Sequence, residues 1–146
     1  MCIEVRKTCK CGRHNVQFHL RDNVLIPEAI CGLHCPECPG DVPFDNESML
    51  MDNDWIIEYD MSLAVSLVEK KLGRGQVEVT PQYLFDSGYG AWLETYPGER
   101  KDIEAERQEI IALAEHDRGQ YLKKITSWNI ERLERLRKAG WRKALL

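Results

Sequence analysis

Hydrophobic and polar residues alternate through the first 21 positions. Ile3 and Val5 fall on one side of an extended chain, and Glu4 and Arg6 on the other. Val16, Phe18 and Leu20 repeat the pattern against Gln17, His19 and Arg21. A period of two predicts half-buried strands. Cys9-Lys10-Cys11-Gly12-Arg13 lies between the two runs and reads as a tight turn. Residues 22–30 read as a connector. The stretch 31–47 is rich in Pro and Gly and is expected to hold no regular element. Trp55–Tyr59 reads as a strand. Leu63, Val65, Leu67, Val68 and Leu72 read as a buried helix that Gly73 and Gly75 end. Thr80-Pro81 has the form of an N-cap and first-turn proline, placing a short helix over 81–87. Ser87-Gly88-Tyr89-Gly90 then breaks it.

The longest periodic stretch follows Pro97-Gly98. Ile103, Ile110, Ala114, Tyr121, Ile125 and Trp128 recur at spacings of three, four or seven, and Leu122, Leu133 and Leu136 extend a neighbouring stripe. One long helix over about 99–139, or two joined near Gly119, is expected. Packing on the rest of the fold is the first reading of that stripe, and pairing in a homodimer the second.

The chain has 146 residues, enough for one domain or a small domain with a helical appendage. All six cysteines, Cys2, Cys9, Cys11, Cys31, Cys35 and Cys38, precede residue 39. Disulfides usually staple the whole of a small secreted domain, so this distribution points to metal instead. No signal peptide or long apolar run is visible, and the expected location is the cytoplasm.

Cys9-x-Cys11 and Cys35-x-x-Cys38 are two short turns that can each turn two sulfurs to one ion. Four thiolates make the closed tetrahedral site that Zn²⁺ prefers. Residues 1–45 with these two turns resemble a zinc ribbon, although a ribbon usually has two residues between the first pair of cysteines. The resemblance implies that Cys9, Cys11, Cys35 and Cys38 are the metal ligands. Cys31 and His34 are alternates. A second reading is an iron–sulfur or metal-handling redox protein using Cys31, Cys35 and Cys38, since Cys38-Pro39 resembles ferredoxin-type ligation. The same cysteines have the spacing of the radical-SAM motif, but that motif belongs to a barrel larger than this chain. Cys2, beside Ile3 on a strand, reads as a bystander.

Catalytic motifs are missing: there is no His-Glu-x-x-His, no phosphate-cradling glycine loop and no nucleophile elbow. The aromatic group Tyr83, Phe85, Tyr89, Trp92 and Tyr96 is the one place for a ligand groove, with a core role the plainer reading. The net charge of −4 divides unevenly into +4 over 1–21, −14 over 22–119 and +6 over 120–146. Arg132, Arg135, Arg137, Lys138, Arg142 and Lys143 form a basic tail. It either lies along the acidic middle or contacts nucleic acid or a protein partner.

The expectation is therefore an α+β chain: a zinc-ribbon-like β-hairpin module over 1–45 and a mostly helical domain over 46–146. In the latter, 46–98 is mixed and the long helix or helix pair follows. The expected function is that of a zinc-binding adaptor rather than an enzyme.

Overall fold

A computed structural model describes residues 3–37 and 43–145. The fold is α+β, with two small antiparallel sheets and a long C-terminal helix. It divides into two units, Met1–Leu93 and Glu94–Leu146.

The first unit begins with β1 (Ile3–Thr8) and β2 (Asn15–Leu20), an antiparallel hairpin running from Ile3 opposite Leu20 to Thr8 opposite Asn15. The alternation places Val16, Phe18 and Leu20 in the core. β1 is an edge strand, and Ile3 on it remains 40 % exposed. β2 gains its other neighbour from far along the chain, in β6 (Ala91–Trp92), with Phe18 opposite Trp92.

The second sheet has the order β3 (Ile30–His34), β5 (Trp55–Tyr59), β4 (Met49–Asp52). β4 and β5 are joined through Asn53 and Asp54, both at positive φ (46° and 71°), the backbone of a two-residue hairpin turn. β3 corrects the expectation that 31–47 holds no regular element. β5 is buried along most of its length and offers a hydrogen-bonding edge on each side. Ile30–His34 takes one of those edges despite its glycine and cysteine. A register shift between Ile30 and Gly32 accommodates them. Gly32 sits opposite Glu58, where a Cβ would come within 2.9 Å of the carboxylate.

α1 (Met61–Leu72) starts at Asp60, whose side chain accepts the Leu63 N–H, and buries Ala64 and Val68. α2 (Pro81–Asp86) starts at Thr80, whose hydroxyl accepts the Tyr83 N–H at 3.0 Å, and buries Leu84 and Phe85. Trp92 is fully buried at the centre of this unit, within ring contact of Phe18, Trp55 and Phe85. Its indole N–H donates to the buried Asp52 carboxylate at 2.8 Å. The Tyr59 hydroxyl donates to the Gly90 carbonyl. The boundary expected at residue 45 lies inside this unit, because β3–β5 and β2–β6 pairing both cross it.

The second unit holds α3 (Glu99–Leu113), α4 (Arg118–Ala139) and α5 (Arg142–Leu145). Of the two expectations for this stretch, the helix pair is the one formed. The break falls at 114–117 rather than at Gly119. Asp117 caps α4 by accepting the Gln120 N–H at 3.1 Å, which draws Gly119 into the first turn. Gly140, at φ 83°, ends α4. Among the described residues no helix is long and apolar enough to cross a membrane.

Candidate metal centre

The β1–β2 hairpin closes through the Cys9 N–H on the His14 carbonyl at 2.9 Å. The Gly12 N–H then bonds the Cys9 carbonyl at 2.8 Å, with Gly12 at φ 76°. This tight turn needs glycine's left-handed freedom, and it folds Cys11 back toward Cys9. The Lys10 N–H donates to the Leu33 carbonyl at 3.1 Å and fixes the turn against the end of β3. Cys35 follows β3 directly, so the pinning brings sulfurs 24 and 26 positions apart together.

The Cys11 sulfur lies 3.4 Å from that of Cys9 and 3.5 Å from that of Cys35. All three fall within 4.8 Å of one another. These separations far exceed the roughly 2.05 Å of a disulfide. They are close to the roughly 3.8 Å that neighbouring thiolates take around a tetrahedral ion with bonds of about 2.3 Å. The Cys35 backbone N–H donates to the Cys9 sulfur at 3.1 Å, a bond that favours the thiolate form. Cys9 and Cys35 are each only 2 % exposed, whereas Cys11 is at the surface. Three cysteine sulfurs thus form a group able to bind a metal ion.

Around the rim, Glu37 reaches from the second turn to Arg13 (3.6 Å) and to His14 Nε2 (3.4 Å). The His14 ring meets Trp55 edge-on at 5.7 Å. Neither the Glu37 link nor the Leu33 carbonyl was anticipated. Opposite charges in the two cysteine turns were the available signal for Glu37, while a backbone acceptor leaves none.

The fourth expected ligand, Cys38, lies outside the described residues, as does Cys2. The alternates Cys31 and His34 are not members of the sulfur group. Cys31 is the extra residue of the β3 register shift, which leaves it exposed, with its thiol 3.6 Å from the Glu58 carbonyl. Partial burial, then the Glu58 and Asp60 carboxylates, push that thiol above its ordinary pKa. His34 is buried, with no hydrogen-bond partner for Nε2. Burial and the Lys10 charge hold its pKa below the ordinary imidazole value.

The aromatic group separates. Phe85, Tyr89 and Trp92 are buried in the first unit, Tyr83 packs on Tyr89, and Tyr96 belongs to the second unit. The basic tail is largely engaged inside its own unit. Arg132 bonds the buried Glu99 carboxylate and lies over the Trp128 ring. Arg135 pairs with Glu106 at 3.5 Å. Arg137 donates to the Ala144 carbonyl, and Lys143 to that of Glu94. Burial pushes the Lys143 ammonium below its ordinary pKa.

No protein-family model, curated protein or solved structure matches the chain.

Proposed function

We propose that the protein is a non-enzymatic zinc-binding adaptor. Its first unit would be braced by a structural Zn²⁺ on Cys9, Cys11, Cys35 and Cys38. The observation that supports this is the convergence of three sulfurs from two separated turns. Zinc suits a set of thiolates supplied by short turns, and a fourth from Cys38 would close the coordination sphere. The iron–sulfur alternative needs Cys31, and its place at the β3 register shift, outside the sulfur group, favours zinc instead. Bound metal would supply cross-linking free energy at one end of the first unit.

In this reading the protein meets an acidic partner, nucleic acid or protein, through basic residues. Internal contacts of Arg132, Arg135, Arg137 and Lys143 shift that role toward the exposed Arg6, Lys10 and Arg13 around the hairpin.

Elemental analysis of protein purified anaerobically tests the metal assignment. One equivalent of zinc and a colourless solution are expected. Iron, sulfide and broad visible absorption would assign a cluster instead. Salt-sensitive nucleic-acid retardation that weakens in Arg6→Glu/Lys10→Glu, more than in a triple reversal at Arg132, Arg135 and Arg137, tests the surface.

A further inference from the structure

The second unit hides few side chains: among its described residues only Glu99, Ile110, Leu136 and Ala144 are buried. At about 100° per residue, α4 carries two neighbouring stripes. Tyr121, Ile125, Trp128, Arg132 and Leu136 form one, and it makes the contacts to α3: the Trp128 indole N–H donates to Glu106 at 2.8 Å, and Arg132 bonds Glu99. Leu122, Thr126, Ile130 and Leu133 form the other. Leu122 is 57 % exposed, Ile130 56 % and Leu133 39 %.

We propose that this second stripe joins two copies of the chain, with α4 packed antiparallel on α4 across a twofold axis. A twofold interface must complement itself, and this stripe does so in the antiparallel sense. Setting Leu122 against Leu133 of the partner subunit places Thr126 against Asn129 of the partner subunit. On the flank away from α3, Lys123 then approaches Glu134 of the partner subunit. The axis repeats each contact, giving two leucine pairs and two opposite-charge pairs. A parallel arrangement, with its axis along the helices, sets the Lys123 and Glu134 flank against the opposite flank of the partner subunit and forms neither charge pair. The shared stripe from 122 to 133 is about 17 Å long, so the contact is small and the dimer should be of roughly micromolar affinity.

Sedimentation of the full-length protein from low micromolar to high micromolar concentration tests this. The parent should move from 17.0 kDa toward twice that mass. Leu133→Glu should stay monomeric. Lys123→Glu and Glu134→Lys should each weaken association about tenfold or more, as expected for desolvated charge pairs. The double variant should recover most of the loss, which a folding defect would not reproduce. Circular dichroism at low concentration should be equal for the parent and all four variants. A parent that remains monomeric throughout, or a double variant no tighter than the singles, overturns the proposal. If that monomer also melts lower with Leu133→Glu, the stripe is covered within the chain itself.

Discussion

Replacing Cys35 by serine removes one sulfur from the group of three and leaves the fold around it nearly intact. The Cys35 amide still reaches Cys9, and the Lys10 N–H still holds Leu33. In the proposed four-thiolate zinc site, what changes is the metal. Structural zinc in small modules is worth about 10–16 kcal/mol, so an even share for one of four thiolates is about 2.5–4 kcal/mol. At about 1.4 kcal/mol per factor of ten, zinc affinity should fall roughly 10²–10³-fold. The serine hydroxyl stays protonated at neutral pH and offers little in return. Global unfolding is not expected, because Phe18, Leu20, Ile57, Phe85 and Trp92 form a buried hydrophobic core of their own. Cys35→Ser should instead melt between the metal-loaded parent and the parent stripped by chelator, and chelator should lower its melting temperature by less than the parent's. Competition with a chromophoric chelator reads the affinity, and thermal melts with and without EDTA read the stability. Cys31→Ser is the control. At an exposed register shift it should change stability by less than about 0.5 kcal/mol and leave the zinc in place. The assignment fails if Cys35→Ser holds zinc as tightly as the parent, or if Cys31→Ser loses it.

Substitutions at three further positions probe the two units separately. Asp52→Ala removes the buried acceptor of the Trp92 indole and should cost about 1.5–3 kcal/mol in urea denaturation, most of it recovered by Asp52→Asn. Arg132→Ala strips the guanidinium from Glu99, which is 6 % exposed, and should destabilise the second unit by about 3 kcal/mol; Arg132→Lys, lacking the planar fork, should restore only part. Burial, then the bond to Asp102, push the Tyr96 phenol up from 10.0 to about 12. A raised value means this stability is whole below pH 10 and drains away as pH climbs toward 12, so alkaline melts should decline over that window and Tyr96→Phe should flatten them. An alkaline limb unchanged in Tyr96→Phe would show that the phenol is not its source.

Local patterns carried far into this fold wherever a residue's own neighbours decide its conformation. Period-two alternation located β1 and β2, and the Thr80-Pro81 pair located the start of α2, because hairpin pleat and helix cap are set within a few positions. Pairing across long separations was not legible. β6 is two residues long and follows Gly88-Tyr89-Gly90, and β3 runs into a cysteine- and proline-rich segment. Each is a strand only because β2 or β5 leaves an edge to be filled. The same logic governs the sulfur group. The two short cysteine turns named Cys9, Cys11 and Cys35 and left Cys31 as an alternate. The one-residue shift in β3 register sets Cys31 apart from the sulfur group, and at that register only glycine leaves room for the Glu58 carboxylate.

The charge pattern shows the same division between what is local and what depends on register. An acidic middle followed by a basic end is visible in the chain, yet which acid meets which cation depends on where the helices turn. The turn lies at 114–117 because Asp117 can cap α4. That centre carries Arg132 to Glu99, and Trp128 and Arg135 to Glu106. Centring the turn on Gly119 would slide one helix past the other and set Glu99 and Glu106 against different residues. Glu106 is the most exposed to such a slip, since its carboxyl is held below the ordinary range first by the Trp128 N–H and then by Arg135, both from α4. A depressed value contributes stability above the usual carboxylate range and loses it on acidification. The pairing of α3 with α4 should therefore loosen as pH falls from that range to below it, where the depressed carboxyl takes up its proton. Glu106→Gln can still accept the indole hydrogen bond but cannot titrate, so it should remove part of the acid dependence without splaying the helices. An acid limb unchanged in Glu106→Gln would mean that α4 reads some other carboxylate of α3, and that the register is not the one described.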